Sequence, residues 1–437
     1  MRKRIHPATG RFVVAVAVAL GIGWHTAGGA EPSSGPVVGQ LVSPDATLLQ
    51  RDKPGQPWRA LPSKSDVHAG GMLVGLPGAE ISAGKGGVRL TFLTDMDKTS
   101  PYPIFEAAVS LHDSPDVDAD FTLDRGRVDV TNTKEKGAAR VRVRFHDQKW
   151  EATLEEPGTR IALELYGRWA KGVRFNPNPG PKDVPSANLV FLVRKGRVDL
   201  SHGTCQHALS APPGPALLHW ENSGTAEESP QRLEKLPDWT ATEESRSERA
   251  LRIKKVIEEL REEMTKSSPA AALETFANSD NPNHRATGVI FMGATDDLGG
   301  LAKVFTETKY PDAWDRAVVV LRHWIGRGPG QDQVIYNFLL EKRKMTEAQA
   351  ATNMQLLHSF GDADLAQPEL YKMLVKFLDS ERLGVRGLAH WHLARLVPAG
   401  KKIEFNPLDP KEKRDKGRDE WKKLVDDLLA KGELPPK

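Results

Sequence analysis

Arg140-Val141-Arg142-Val143-Arg144-Phe145 sets charged and apolar side chains on alternate positions. In an extended chain successive side chains point to opposite faces. The hexapeptide therefore puts three guanidinium groups on one face, and Val141, Val143 and Phe145 on the other. A helix would scatter the same residues around its circumference. The stretch reads as a strand with one wet and one buried face, which belongs to antiparallel sheets of the sandwich or barrel kind.

The same period of two recurs on both sides of it. Val88 to Leu93, Arg127 to Val130 and Arg160 to Leu165 alternate, whereas Asn188 to Val193 is a continuous apolar run, as in a strand buried on both faces. Lys136-Gly137, Pro157-Gly158 and Lys195-Gly196 supply the turns between them. The glycine-rich Ala83 to Gly87 reads as a turn before the Val88 strand. Strand character extends from about residue 36 to residue 220.

Composition changes after Trp220. Residues 221–244 are polar and rich in Ser, Glu and Pro, as in a linker. Ile253, Val256, Ile257, Leu260 and Met264 then form one helical stripe in a connecting helix over 245–266, with Ser245 and Glu248 placed as a capping box. Helical spacing continues through Trp314, Ala317, Val318, Leu321 and Ile325, and again from Val385 to Leu396 and from Trp421 to Leu429.

Two phrases in the sheet-forming part are near copies. Asp124-Arg125-Gly126-Arg127-Val128-Asp129-Val130 returns as Arg194-Lys195-Gly196-Arg197-Val198-Asp199-Leu200, with a Pro157-Gly158-Thr159 turn between them. This arrangement resembles the β-domain of FecR-type extracytoplasmic proteins. The resemblance implies a fold for residues 31–220; the membrane helix that precedes this domain in FecR-type regulators is not expected here. In the helical part, Arg285, Arg316 and Arg386 each precede small and apolar residues, at separations near one and two repeat lengths. That pattern resembles HEAT-type repeats, in which stacked helix pairs bury each other's faces. The expected fold is α+β in two domains. An N-terminal antiparallel all-β domain, sandwich or β-solenoid-like, precedes a C-terminal all-α HEAT-like solenoid or bundle over 267–437.

Arg2, Lys3, Arg4 and Arg11 precede an apolar run from Phe12 to Trp24 and the small residues Gly28-Gly29-Ala30. This is the pattern of a cleaved secretory leader over residues 1–30 and predicts a protein that works outside the cytoplasm, without a membrane span once the leader is removed. With 61 basic against 58 acidic residues, the chain carries a formal charge of +3, which gives no reason to expect nucleic acid. Cys205 is the single cysteine of the 437-residue chain, so an intrachain disulfide and CxxC sites are ruled out.

No reaction signature is present. None of the 13 His residues precedes Glu, and neither a G-x-S-x-G elbow nor a P-loop Gly-Lys-Ser/Thr occurs. No catalytic residue, cofactor or metal is therefore expected. Metal donors cluster twice. Asp116, Asp118 and Asp120 alternate as hard oxygen donors do around Ca²⁺, but on a strand they would form a solvated face. His202, Cys205 and His207 offer donors of the Zn²⁺ type, and the simpler reading is a turn between strands. Trp58, Trp150, Trp169 and Trp220 offer aromatic area for a glycan. The expected function is a non-catalytic binding or scaffolding protein of the bacterial cell envelope with a protein partner; the alternative is an envelope hydrolase or carbohydrate-binding protein acting on glycans.

Overall fold

In the Ala139–Phe145 strand, Val141, Val143 and Phe145 are buried on one face and the arginines alternate with them on the other, where Arg140 is exposed, Arg144 half-buried and Arg142 buried. The strand turns back on itself to pair antiparallel with Gln148–Leu154. Its other edge pairs parallel with Ala119 to Thr122. This parallel pair corrects the expectation of a wholly antiparallel domain. Parallel and antiparallel partners demand the same alternation of side chains, so the sequence period could not distinguish them. The structure, a computed structural model, describes residues 35–95, 105–222, 224, 229–240 and 247–434. Residues 1–30, read above as a leader, and Ser245 lie outside the described residues.

Strands from Val37–Leu41 to Gln231–Leu233 build two sheets around one apolar core. The 14-residue strand Ala119–Asn132 belongs to both. Up to Arg125 it pairs with Ala107–His112 in one sheet; from Gly126 it pairs with Val88–Leu93 and Arg160–Arg168 in the other. The change of sheet happens at Gly126, whose φ is +86°. A Cβ there would lie 1.8 Å from the Glu106 carbonyl oxygen, so only glycine fits. The second copy of the phrase does the same work in reverse. Ser186–Lys195 lies in one sheet, Arg197–His202 in the other, and Gly196 between them has φ +80°.

The segment read as a linker is partly structured. Gln231–Leu233 adds an antiparallel strand to Gly214–Glu221, and Trp239 then packs over the outer face of that sheet near Ala162, Leu192 and Ala216. Trp239 stacks on the Arg127 guanidinium at 4.4 Å. Eleven α-helices follow among the described residues, from Glu248–Lys266 to Lys411–Ala430. The first is capped by Ser247, which accepts from the Ala250 amide, two residues later than the expected Ser245 cap.

Two of the three repeated arginines have equivalent partners. Arg285 donates to the carbonyls of Ser279 and Asp280, six and five residues before it; Arg386 donates to those of Ser380 and Glu381. Each ties its helix to the turn that precedes it. Arg316 does not repeat the pattern and lines a cavity of about 870 Å³.

Residues Gly35–Lys437 form one compact unit. Leu49, Val74, Leu76 and Ala108 turn the outer face of one sheet into the helical core. Trp58 donates its indole N–H to the Thr295 carbonyl at 2.7 Å, and Trp169 does so to Ile325 at 2.9 Å. Buried N–H and C=O groups rarely go unpaired, so these bonds fix where helix ends meet the sheets. Among the described residues no helix is long and apolar enough to cross a membrane.

Candidate functional site

Three regions gather polar chemistry: the junction between sheets and helices, a groove in the helical part, and a hairpin at the far end of the second Gly-Arg-Val phrase.

At the junction, Glu106 is fully buried. Arg125 reaches it at 3.0 Å, Arg327 at 2.5 Å and His323 Nε2 at 3.4 Å. Asp296 binds Arg327 at 3.2 Å and Arg51 at 2.9 Å, while Asp124 binds Arg125. Three carboxylates thus face three guanidinium groups. Burial alone would raise the Glu106 pKa, but Arg327, His323 and Arg125 together hold its carboxyl well below the usual range. Burial pushes His323 down, so its ring is neutral and donates to Glu106; it pushes Arg327 down to about 10, still charged at neutral pH. Tyr166 stacks on His323 at 5.7 Å. A carboxylate held ionised by two arginines makes a poor general acid or base. The chemistry is that of a joint.

The other acids of the sheets are also paired with cations, but burial raises the Asp129 carboxyl instead of leaving it lowered like Glu106. Glu164 pairs with Arg127, and Asp129 with Arg194 and with Arg160. Asp116 and Asp120 share Arg142, and Asp120 also accepts from Arg144 at 2.7 Å, which helps draw its carboxyl down to about 2. Asp118 accepts from Lys134 at 2.8 Å and from the Arg140 amide. Asp116, Asp118 and Asp120 therefore do not share one solvated face. Asp116 and Asp118 precede the strand that begins at Ala119, and Asp120 is buried. Their oxygens are directed to cationic side chains rather than to one another.

The four tryptophans of the sheet region serve packing. Trp150 and Trp220 are buried and Trp58 and Trp169 pin helix ends. In the 870 Å³ cavity the Asp315 carboxyl is pushed up by burial, while its neighbour Asp312 is clamped by Arg285 at 2.9 and 3.0 Å.

The helical groove has a different character. Its volume is about 540 Å³, and half-buried Phe305, Phe338, Leu339, Met345 and Leu383 line it. Lys342, Arg343, Arg382 and Arg386 stand at its edges with a single acid, Glu381. Arg343 donates to the Thr306 hydroxyl and Arg382 to the Gln349 amide, and Arg386 donates to backbone carbonyls. Among the described residues, none of the four cations forms an ion pair. No motif marked this groove, because its residues come from five separate helices and the turns between them and meet only in three dimensions.

At the hairpin, Arg197–His202 and Cys205–Ser210 are joined by the two-residue turn Gly203-Thr204. The structure brings His202, Cys205 and His207 together: one donor atom from each lies within 4.8 Å of the others.

No protein-family model, curated protein or solved structure matches the chain.

Proposed function

We propose that the protein is a non-catalytic binding protein of the cell envelope whose helical groove takes an apolar, acid-flanked segment of a protein partner. One observation carries the reading: an apolar trough edged by four cations that form no ion pair among the described residues. A partner carboxylate would exchange water for a guanidinium there, and its apolar side chains would cover Phe305, Leu339 and Met345. Placement outside the cytoplasm rests on the leader sequence. The role of scaffold rests on the junction, where the buried acids are committed to arginines and leave the sheets as a support.

The test is binding of fluorescent peptides with Leu and Phe at helical spacing, flanked either by Asp and Glu or by Lys. The acid-flanked peptide is expected to bind more tightly and to weaken with salt. Lys342→Glu combined with Arg343→Glu should cost about tenfold or more in affinity, the size of one lost charge-assisted contact. Equal binding of both peptides, or no effect of the double substitution, would sink the proposal.

A further inference from the structure

The hairpin that ends the second Gly-Arg-Val phrase carries the strongest unassigned chemistry. His202 and Cys205 are directly paired across the two strands, and His207 lies opposite Leu200. Side chains two apart on a strand share a face, and so do directly opposed ones. All three donors therefore fall on the same side of the ribbon. The Nε2 atoms of His202 and His207 are 3.3 Å apart.

That is hydrogen-bond distance, one ring donating to the other, and it is also close enough for both nitrogens to meet one ion once the shared proton has moved to the other ring nitrogen. Trp150, the cross-strand partner of His202, stacks on its ring at 4.6 Å and 21°, which limits ring rotation. Cys205 is exposed and in no disulfide, so one side stays open to solvent. The strand pairing fixes the three Cα positions before any ion arrives, which lowers the ordering cost of binding.

The geometry points to a Zn²⁺ site formed by His202, Cys205 and His207, with a fourth position left to water or to an exchangeable donor. Zn²⁺ accepts mixed imidazole and thiolate ligands in tetrahedral array, and three protein ligands plus one open position is a recognised arrangement. Binding would deprotonate the Cys205 thiol and release that proton to solvent. Nothing in this inference depends on the helical groove.

Co²⁺ added to the mature protein reports the site directly, because a thiolate ligand gives a charge-transfer band and tetrahedral Co²⁺ gives intense visible absorption. One equivalent should saturate both signals, and Zn²⁺ should displace them. Cys205→Ser should abolish the charge-transfer band, and His207→Ala should weaken Zn²⁺ binding at least about a hundredfold, as judged from the cost of lesser ligand-shell changes. Both residues lie at the end of an exposed hairpin, and melting of the metal-free variants checks that the fold persists. Co²⁺ spectra lacking a thiolate band, or Zn²⁺ affinity unchanged in Cys205→Ser and His207→Ala with normal melting, would overturn the site.

Discussion

The two copies of Gly-Arg-Val-Asp have the same backbone and opposite surroundings. In each, a glycine in the left-handed region carries the chain from one sheet to the other. Arg127 is only 3% exposed, is bound to Glu164 and is covered by Trp239; Arg197 is exposed. Asp129 is wholly buried between Arg194 and Arg160, whereas Asp199 is exposed. The phrase sets the path of the strand, and what packs on the outer face sets the worth of its charges. Over the first copy lie Trp239 and, through Arg125 and Glu106, the helices. The second copy is uncovered, and its strand runs on into His202.

Arg127→Ala and Arg197→Ala are the sharpest test. Removing Arg127 takes the guanidinium from the buried Glu164 carboxylate and should cost about 3–5 kcal/mol in unfolding free energy. Arg197→Ala should change it by less than about 0.5 kcal/mol. Equal losses would mean that the repeated phrase, and not its cover, carries the energy.

The glycines should separate by less. In Gly126→Ala the new methyl meets a backbone oxygen 1.8 Å away that cannot move aside, and the loss should be about 3 kcal/mol or more. In Gly196→Ala it meets the Thr159 hydroxyl at 2.4 Å, which can rotate, leaving mainly the left-handed backbone cost of about 1–2 kcal/mol. Urea denaturation of the two variants checks the order.

Acid should expose the third contrast, between the joint at the first copy and the helices. Burial pushes His392 down to about 4, its Nε2–H donating to the Leu356 carbonyl at 2.8 Å. A histidine with a lowered folded pKa stabilises fully above its unfolded value, and the gain is lost as pH falls from about 6.5 toward 4. Glu106 is also lowered, but from 4.5, so its contribution is complete above that value and drains away only below it. Glu106→Gln should lower stability at neutral pH and flatten the loss below pH ~4.5, while the slope between ~6.5 and ~4.5 should persist or steepen, because His323 loses the carboxylate that favours its protonation. An unchanged slope below ~4.5 would show that Glu106 is not ionised in the folded protein.

Much of the fold was legible in the residues. Alternation in Arg140 to Phe145 showed that Val141, Val143 and Phe145 share the core face, although Arg142 on the other face is buried too by acids from elsewhere, and the stripe from Ile253 to Met264 located the first long helix. Other features depend on partners distant in sequence. Whether Val141 meets Ala119 in a parallel ladder leaves no trace in a period of two. Ser245 and Ser247 are both competent caps, and local spacing alone favoured the wrong one. Of the candidate sites, His202, Cys205 and His207 were visible as residues within six positions, but their convergence needed the hairpin register. The Asp116 to Asp120 cluster looked similar in sequence and came apart because Arg142, Arg144 and Lys134 reach it from elsewhere. The Glu106 joint was invisible, since His323 and Arg327 lie some two hundred residues from it.

The account stands on sheets and helices being one cooperative body, joined at Glu106, Arg125, Arg327 and His323. Hydrogen exchange followed through a urea titration, with peptides read separately from Arg160–Arg168 and Pro311–Ile325, measures this directly. Both segments should lose protection at the same midpoint. Helical peptides that open at a distinctly lower urea concentration than the sheet would contradict it.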